Sequence, residues 1–560
     1  METSYDADVL VIGAGPVGLT GAMDLASRGH RVMVVERRYY GEPPPVKCNH
    51  VSSRSMEQFR RLGVATKLRD AGLPPDYPND VVFRTSMTGI ELTRIPIPCR
   101  RDRYSADGGP DTWWPTAEPP HRINQLYLEP ILLHHTAGLD GVTLLNQTQL
   151  LDVEHSNDGV LARVSDLVTG EGRVLRARYI IGCDGGSSTV RRQIGAQLEG
   201  TAVIQRVQST FIRAPGLKAL LPGKAAWCYY SVNPRRCGTV FAIDGHERWL
   251  VHNHLNADEP EFDSVDRDAS IRNILGVDDD FEYEVLSKED WVGRRLVANR
   301  FRQGNVFIAG DAAHLWVPYA GYGMNAGIAD VLNLTWLLSA RLKGWADERM
   351  LDAYEAERLP ITEQVSHFVM NHAAKMIKAR RAVPSDIEAA DEDGEASRAL
   401  IGKEAYDLNV QQFCCAGLNY GYFYQGSPIL AQDEESAPGY TMSDFTASTV
   451  PGCRAPHFWL GDGRSLYDAL GPDYTLLCLA AGADAQPLVE EARRHAIPLR
   501  VLDLQAESKL PGAYRHALVL CRSDQHVVWR GNAISDAPGL AALMRGSGST
   551  VPKWRQAAEG

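Results

Sequence analysis

The sequence predicts an α/β fold. A Rossmann-like domain on a parallel sheet is interrupted by a second, sheet-rich region and followed by a smaller α/β domain at the C-terminus. Three observations predict it. Residues 8–12 form an apolar run that ends in Gly13, Gly15 and Gly18 and passes into a helical pattern. Two more strand-like runs, at 178–182 and 305–309, end in Asp184-Gly185 and Gly310-Asp311. The chain has 560 residues, more than one hydrophobic core normally serves, so two or three domains are expected.

The first run reads as a strand buried on both faces. Gly13 permits a tight turn, Gly15 lets a phosphate approach the backbone, and Gly18 lets the helix over 19–27 pack closely on the strand. The start of that helix offers unpaired N–H groups and a positive dipole end to an anion. Gly29 and His30 close the helix. Residues 31–35 form a second strand ending in Glu36, placed to meet a ribose. Strand, glycines, helix, strand and acid in register predict a dinucleotide site but do not separate FAD from NAD. Arg37 and Arg38 follow directly, at the place to meet a 2′-phosphate of NADPH or to form a solvated edge.

Composition excludes several classes. Net charge is -12, which disfavours nucleic acid as a partner. No apolar run is long enough to span a bilayer, and the N-terminus lacks the positive charge of a secretory signal, so a cytoplasmic protein without a membrane partner is expected. The ten cysteines lack C-x-x-C spacing, which argues against a zinc site and a dithiol redox motif; no metal is expected.

The motifs at 184–191 and 310–327 make the pattern specific. Asp184, Gly185, Ser188 and Arg191 fit D-G-x-x-S-x-x-R, and Gly310-Asp311 is followed by a turn containing Pro318, Ala320, Gly321, Gly323, Met324 and Asn325. On these residues the chain resembles the single-component FAD-dependent aromatic hydroxylases, the para-hydroxybenzoate hydroxylase group. Within it the resemblance is to the phenol, 2-hydroxybiphenyl and 3-(3-hydroxyphenyl)propionate hydroxylases. It implies that the first domain binds FAD, that Asp184, Ser188 and Arg191 help bind FAD and NAD(P)H, that Asp311 meets the ribityl chain, and that the turn from Pro318 faces the isoalloxazine. Arg54, in the segment after the second strand, and Gln125 are further cofactor candidates by the same resemblance. The family usually has Gly where Ala320 stands.

The resemblance also implies the reaction. NADPH or NADH reduces a mobile flavin when substrate is bound, oxygen forms a flavin C4a-hydroperoxide, and a phenol-like ring attacks its distal oxygen. Other flavin chemistry on the same fold (a halogenase or a reductase) and a non-catalytic FAD-binding protein are the alternatives; the W-x-W-x-I-P stretch of tryptophan-type halogenases is not found. No second GxGxxG unit is present, which disfavours flavin enzymes with two nucleotide domains. In the similar hydroxylases a histidine acts as phenol base five positions before the arginine of an R-x-M-E stretch. Here that position is Asn49, and His50 is its neighbour, so His50 and Asn49 are the catalytic candidates, with His121 and His314 less favoured. Aromatic residues on alternating strand patterns, Trp227, Tyr230, Phe241 and His252 among them, are expected to wall an apolar, multi-ring substrate pocket.

These readings divide the chain into an FAD-binding domain (1–85 with 115–200 and 298–380), a substrate-binding part (86–114 and 201–297), a helical, acidic connection (381–440) and a last domain (441–560). The last domain resembles the thioredoxin-like tail of phenol hydroxylases, including the run from Arg522 to Arg530, but has no C-x-x-C and is expected to serve packing or subunit contact. The expected partners are a small phenolic substrate and O2, in a homodimer or higher homo-oligomer.

Overall fold

The computed structural model describes residues 5–156, 158–507 and 509–547. In its eight-stranded first sheet the strand Ala7–Ile12 lies between Val32–Val35 and Gly172–Gly182, parallel to both, and Val306–Ile308 continues the parallel row on the far side of Gly172–Gly182. Val9, Leu10 and Val11 are fully buried, which explains why their strand has no polar face. Ile12 pairs with Gly182, and Gly182 with Ile308, so the three strands end level. The alignment continues past the strands: Cys183 N–H donates to the Ile12 carbonyl at 2.8 Å and Ala309 N–H to the Gly182 carbonyl at 3.0 Å. Three motifs far apart in sequence therefore emerge side by side at the carboxyl edge of the sheet, where open α/β sheets bind ligands.

A second sheet of nine strands carries the inserted region, with the 16-residue strand Leu198–Arg213 pairing on both sides. Its far edge is Val81–Arg84 and Glu91–Ile95, reached because Val81–Arg84 pairs in parallel with Cys228–Ser231. The first segment of the cofactor domain therefore ends before Val81 rather than at residue 85. That pairing joins residues nearly 150 positions apart and leaves no local signal. The opposite edge, His314–Trp316, begins just after the Gly310-Asp311 motif and pairs with Trp291–Ala298, so the third motif is also the hinge between the sheets.

The acidic stretch lies in the helical connection. It opens the 22-residue helix Glu392–Phe413, capped by Asp391, whose carboxylate accepts the Gly394 N–H at 2.9 Å. Glu392, Asp393 and Glu395 occupy the first turn, where negative charge favours the helix dipole. Gly402 lets this helix lie against the backbone of Leu92, where a Cβ would collide with the Leu92 carbonyl.

The last domain has a four-stranded sheet in the order Leu499–Asp503, Tyr474–Cys478, Leu518–Cys521, Val527–Gly531, with helices Gln486–Arg494 and Ala537–Met544. Residues 548–560 of the predicted last domain lie outside the described residues. This domain is fastened by buried charge. Arg522 donates to both oxygens of Glu357 at 2.6 and 3.0 Å, and Arg454 pairs with Glu57 at 2.6 Å. Both side chains of the Arg522–Glu357 pair are wholly buried, and removing one partner of such a pair leaves an uncompensated charge. Glu357→Leu is therefore expected to destabilise the protein by about 3 kcal/mol, read as a lower thermal unfolding midpoint by circular dichroism.

Candidate active site

The glycine loop is built by contact, not by flexibility alone. Gly13 has φ +103°, and a Cβ there would strike the Cys183 carbonyl; a Cβ on Gly18 would strike the Gly13 carbonyl. A Cβ on Gly15 would meet nothing. Two glycines thus allow strand and helix to close on each other, and the third leaves the backbone open to a ligand. Gly15 caps the helix Pro16–Ser27 without a side-chain hydrogen bond, which leaves its first N–H groups for an anion.

The rim beside this loop is an alternating series of charges. Glu36 accepts the Ala14 N–H at 2.7 Å and the Arg38 Nε–H at 3.2 Å. Arg38 reaches on to Glu129 at 2.6 Å, and Glu129 accepts from Gln125 at 2.7 Å. Burial would raise the pKa of Glu36, but the hydrogen bonds from Arg38 and Ala14 outweigh it and hold the carboxyl below its usual range. Arg37 is exposed, so Arg38, not Arg37, is the arginine of the rim. Arg54, a further cofactor candidate, has partners within the protein. Its guanidinium stacks on Tyr422 at 4.4 Å and donates to His526 Nε2 at 2.7 Å, toward the last domain.

Asp184, Ser188 and Arg191 reach the cradle as a brace. Asp184 accepts from Ser188 Oγ at 2.5 Å and from the Thr189 N–H at 2.6 Å, capping the short helix Thr189–Gln193. Arg191 donates to the carbonyls of Gly186 and Ala312 at 2.8 and 3.0 Å, which ties the second motif to the third. The side chains predicted to touch cofactor are thus bonded to protein. In the third motif Gly310 has φ +61°, and its N–H donates to Asp330 at 3.3 Å. Buried Asp330 also meets His314 at 2.7 Å and Arg358 at 2.8 Å; these partners overcome burial and keep it ionised, and they give His314 a structural role. Asp311 differs. It faces the groove exposed, accepts no hydrogen bond from the described residues, and has its pKa raised by the surrounding protein.

The turn after Pro318 contains two consecutive left-handed residues, Ala320 and Gly321, both with φ 59°. Asn325 fixes this turn with four hydrogen bonds. Its oxygen accepts the Ser52 N–H at 2.9 Å and Ser55 Oγ–H at 2.8 Å; its amide donates to the carbonyls of Gly321 at 2.6 Å and His50 at 3.2 Å. Asn325 is therefore what brings the predicted catalytic pair to the turn. Gly323 is open, as Gly15 is, while Met324 packs into the core.

Beyond the turn lies a cavity of about 770 Å³. Pro318, Tyr319, Ala320 and Gly321 form one wall; Asn49, His50 and Arg122 another; Trp227, Tyr230, Phe241, His252, Trp291 and Phe413 supply aromatic surface. Arg122 lies over Trp227 at 4.6 Å and donates to His50 Nδ1 at 2.5 Å. A guanidinium can only donate, so Nδ1 accepts and the proton of the neutral ring sits on Nε2. Burial, with Arg122 and Arg103 nearby, drives the His50 pKa well below its usual value. His50 is thus held neutral as a donor, not poised as a base. Asn49 accepts from Asn124 at 2.5 Å, which leaves its own amide N–H groups free to donate. His121 is bonded to the Leu68 carbonyl and buried, its pKa lowered to about 3, outside the cavity. Sequence reasoning passed over Arg122, Tyr319 and Phe413. Arg122 arrives through an isolated bridge between Val51 and His121, and Phe413 through the end of a long helix.

Comparisons with known proteins identify the family. The FAD binding domain family matches residues 6–369, and the aromatic-ring hydroxylase C-terminal family matches residues 448–547. The FAD-dependent monooxygenase apdD of Emericella nidulans is 29% identical, with 95% of this chain and 89% of that protein covered. Phenol 2-monooxygenase of Pseudomonas sp. is 28% identical, with 98% and 93% covered. The structure of the rebeccamycin biosynthetic enzyme RebC with reduced flavin superposes with a TM-score of 0.87 at 30% identity, covering 98% of this chain and 100% of that one.

Gly18→Ala, which forces a methyl onto the Gly13 carbonyl, is expected to yield protein that no longer retains FAD, read as loss of flavin absorbance after gel filtration. Asp311→Leu, which removes one charge-assisted acceptor, is expected to weaken FAD binding about tenfold by fluorescence titration of the apoprotein.

Proposed function

The chain belongs to the FAD-dependent aromatic-ring hydroxylases, and from that premise we propose that it uses NAD(P)H and O2 to hydroxylate a phenol-like ring on a multi-ring compound. The observation that carries the proposal is the shared wall: Pro318 to Gly321 belong both to the turn that closes the cofactor groove and to the aromatic cavity. A ring in that cavity lies against the turn that would face a flavin. Trp227, Tyr230, Phe241, His252, Trp291 and Phe413 give the cavity a broad aromatic wall, which suits a multi-ring compound.

The groove fits FAD in its donor set. The open helix start at Gly15 would take the pyrophosphate, Glu36 a ribose, and unpartnered Asp311 the polyol chain. Ala320 to Gly323 would lie along the ring system. When bound, FAD supplies the redox chemistry, taking reducing equivalents from NAD(P)H and passing one oxygen atom of O2 to the substrate. The protein's part is to place the ring, exclude water and make its oxygen anionic.

For that last task the cavity offers electrostatics in place of a base. Arg122 is buried and has no carboxylate in contact; its neighbour Asp111 is paired with Arg103 at 2.8 Å. Its positive charge, relayed through the His50 Nε2–H and joined by the Asn49 amide, stabilises a phenolate and lowers the phenol's pKa in place. The proton leaves to solvent before the ring is closed in.

The holoenzyme, given NADPH or NADH under air with a panel of phenols and naphthols, is expected to oxidise the nicotinamide faster with the right aromatic and to form a hydroxylated product. Flavin reduction that no aromatic accelerates would sink the proposal. Arg122→Gln should lower turnover by about tenfold or more. It should also shift the rising limb of the pH–rate profile toward alkaline pH, because loss of the cation raises the pKa of the bound phenol. His50→Gln, which keeps a donor, should retain much more activity than His50→Ala; equal loss in both would restore the base.

A further inference from the structure

The aromatic cavity abuts a second hollow of quite different chemistry. The hollow encloses about 750 Å³ and is walled by Arg206, Arg235, Arg236, Arg380, Arg381 and Glu259. His254 lines both spaces. Tyr319, a wall of the aromatic cavity, donates from its hydroxyl to Gln205 at 3.3 Å and accepts from Arg380 at 3.2 Å, so its phenol group forms the partition. At the same border His254 has a buried Nδ1 with no hydrogen-bond partner among the described residues.

The five arginines come from three places: the strand Leu198–Arg213, the turn before the strand Gly238–Ala242, and the last residues of the helix Asp352–Arg381. Two are neutralised. Arg236 forms a bidentate pair with Glu259 at 2.8 Å for each contact, and Arg235 pairs with Glu388. The Arg380 guanidinium donates to the Tyr319 hydroxyl, and Arg206, Arg380 and Arg381 have no ion pair among the described residues. Three uncompensated cations therefore face one concave wall in a chain of net charge -12. Converging like charges repel one another, and a solvated surface would spread them apart; a concave site that holds them together favours an anion.

We propose that this hollow is an anion subsite for the substrate. The compound hydroxylated in the aromatic cavity carries a carboxylate at the end remote from its phenol-like ring, and Arg206, Arg380 and Arg381 hold it. This rests on the hydroxylase reading above and extends it to a substrate class. The carboxylate end docks in the basic hollow, the apolar body passes Tyr319 and His254, and the reacting ring comes to rest against the turn at Ala320. A phosphate group of the nicotinamide cofactor has the same charge chemistry, and the experiment separates the two.

The matched probes are 2-naphthol and 6-hydroxy-2-naphthoate, which differ by the carboxylate alone. Binding to the oxidised holoenzyme is read from the perturbed flavin spectrum, and turnover from NAD(P)H use and hydroxylated product. The wild type is expected to bind the carboxylate about tenfold more tightly, with the advantage shrinking as salt rises. In the double variant Arg206→Gln/Arg381→Gln, whose changes lie at accessible positions, that preference should fall about tenfold through KM and not kcat. Arg381→Glu should invert it. Equal binding of the two probes, no binding of the carboxylate, or an unchanged preference in the variants would overturn the subsite. A rise in the KM for NAD(P)H with the preference intact would assign the arginines to the nicotinamide phosphates and likewise overturn it. Hydroxylation of 2-naphthol by the wild type tests the reaction class separately, since that probe has no carboxylate.

Discussion

The constraint on which the rest of the structure depends is the level ending of three parallel strands. Because Ile12, Gly182 and Ile308 lie in one register, Gly13, Cys183 and Ala309 leave the sheet together. Their spacing is too close for a side chain at Gly13, and the helix that follows is too close for one at Gly18. The glycines, the Asp184 cap and the Asp330 hub are consequences of that crowding. What remains uncrowded, at Gly15, Asp311 and Gly323, outlines the cofactor groove. The geometry that packs the domain is the geometry that opens the site.

A second level of support comes from the last domain. Its buried arginines and His526 reach helices that carry the active-site segment. Arg454 pairs with Glu57, and His526 with Arg54, both in the helix Ser53–Arg61. The N-terminal turn of that helix is the one Asn325 binds through Ser52 and Ser55. Arg522 holds both oxygens of Glu357, one of which also accepts from Asn333 on the helix Tyr322–Leu342 that begins at the turn. A domain without a dithiol motif is thereby joined mechanically to the turn that would face the flavin. Arg54 takes part in the same junction, with its guanidinium on Tyr422 and His526.

Much of this was legible in the sequence where the signal is local. Gly13, Gly15 and Gly18 follow their strand directly, and the structure gives each the contact its position implied. The strands of the last domain were readable for the same reason. What the sequence left unread were the contacts that depend on a partner far away in the chain. Asp184, Ser188 and Arg191 carry a recognisable spacing, but the spacing is that of a helix cap and a brace, and only the fold shows where their hydrogen bonds go. Arg37 and Arg38 are indistinguishable in sequence; Glu129, on a distant helix, selects Arg38. The edge strand at Val81 and the cavity wall at Phe413 depend on pairings that no neighbouring residue announces.

The two departures from the family pattern now have a common physical setting. Ala320 takes a left-handed conformation, which costs a residue with a Cβ roughly 1 kcal/mol, and the cost is borne where the turn meets the substrate cavity. Asn49 replaces a titratable group with an amide, and His50 is kept from titrating by the guanidinium behind it. A cavity with a base needs that base near neutral pKa and a route for its proton. On the proposed reading a cavity with a fixed cation needs no titrating base, only the path that takes the phenol's proton to solvent, and its effect is present at every pH at which Arg122 is charged. The cost is desolvation of Arg122, which lowers its pKa and which the ring face of Trp227, the Phe413 carbonyl and the His50 nitrogen only partly offset. If the proposed reaction holds, a permanent charge behind His50 does the work that the resembling hydroxylases give to a titrating group, and the requirement that the phenol be activated is unchanged.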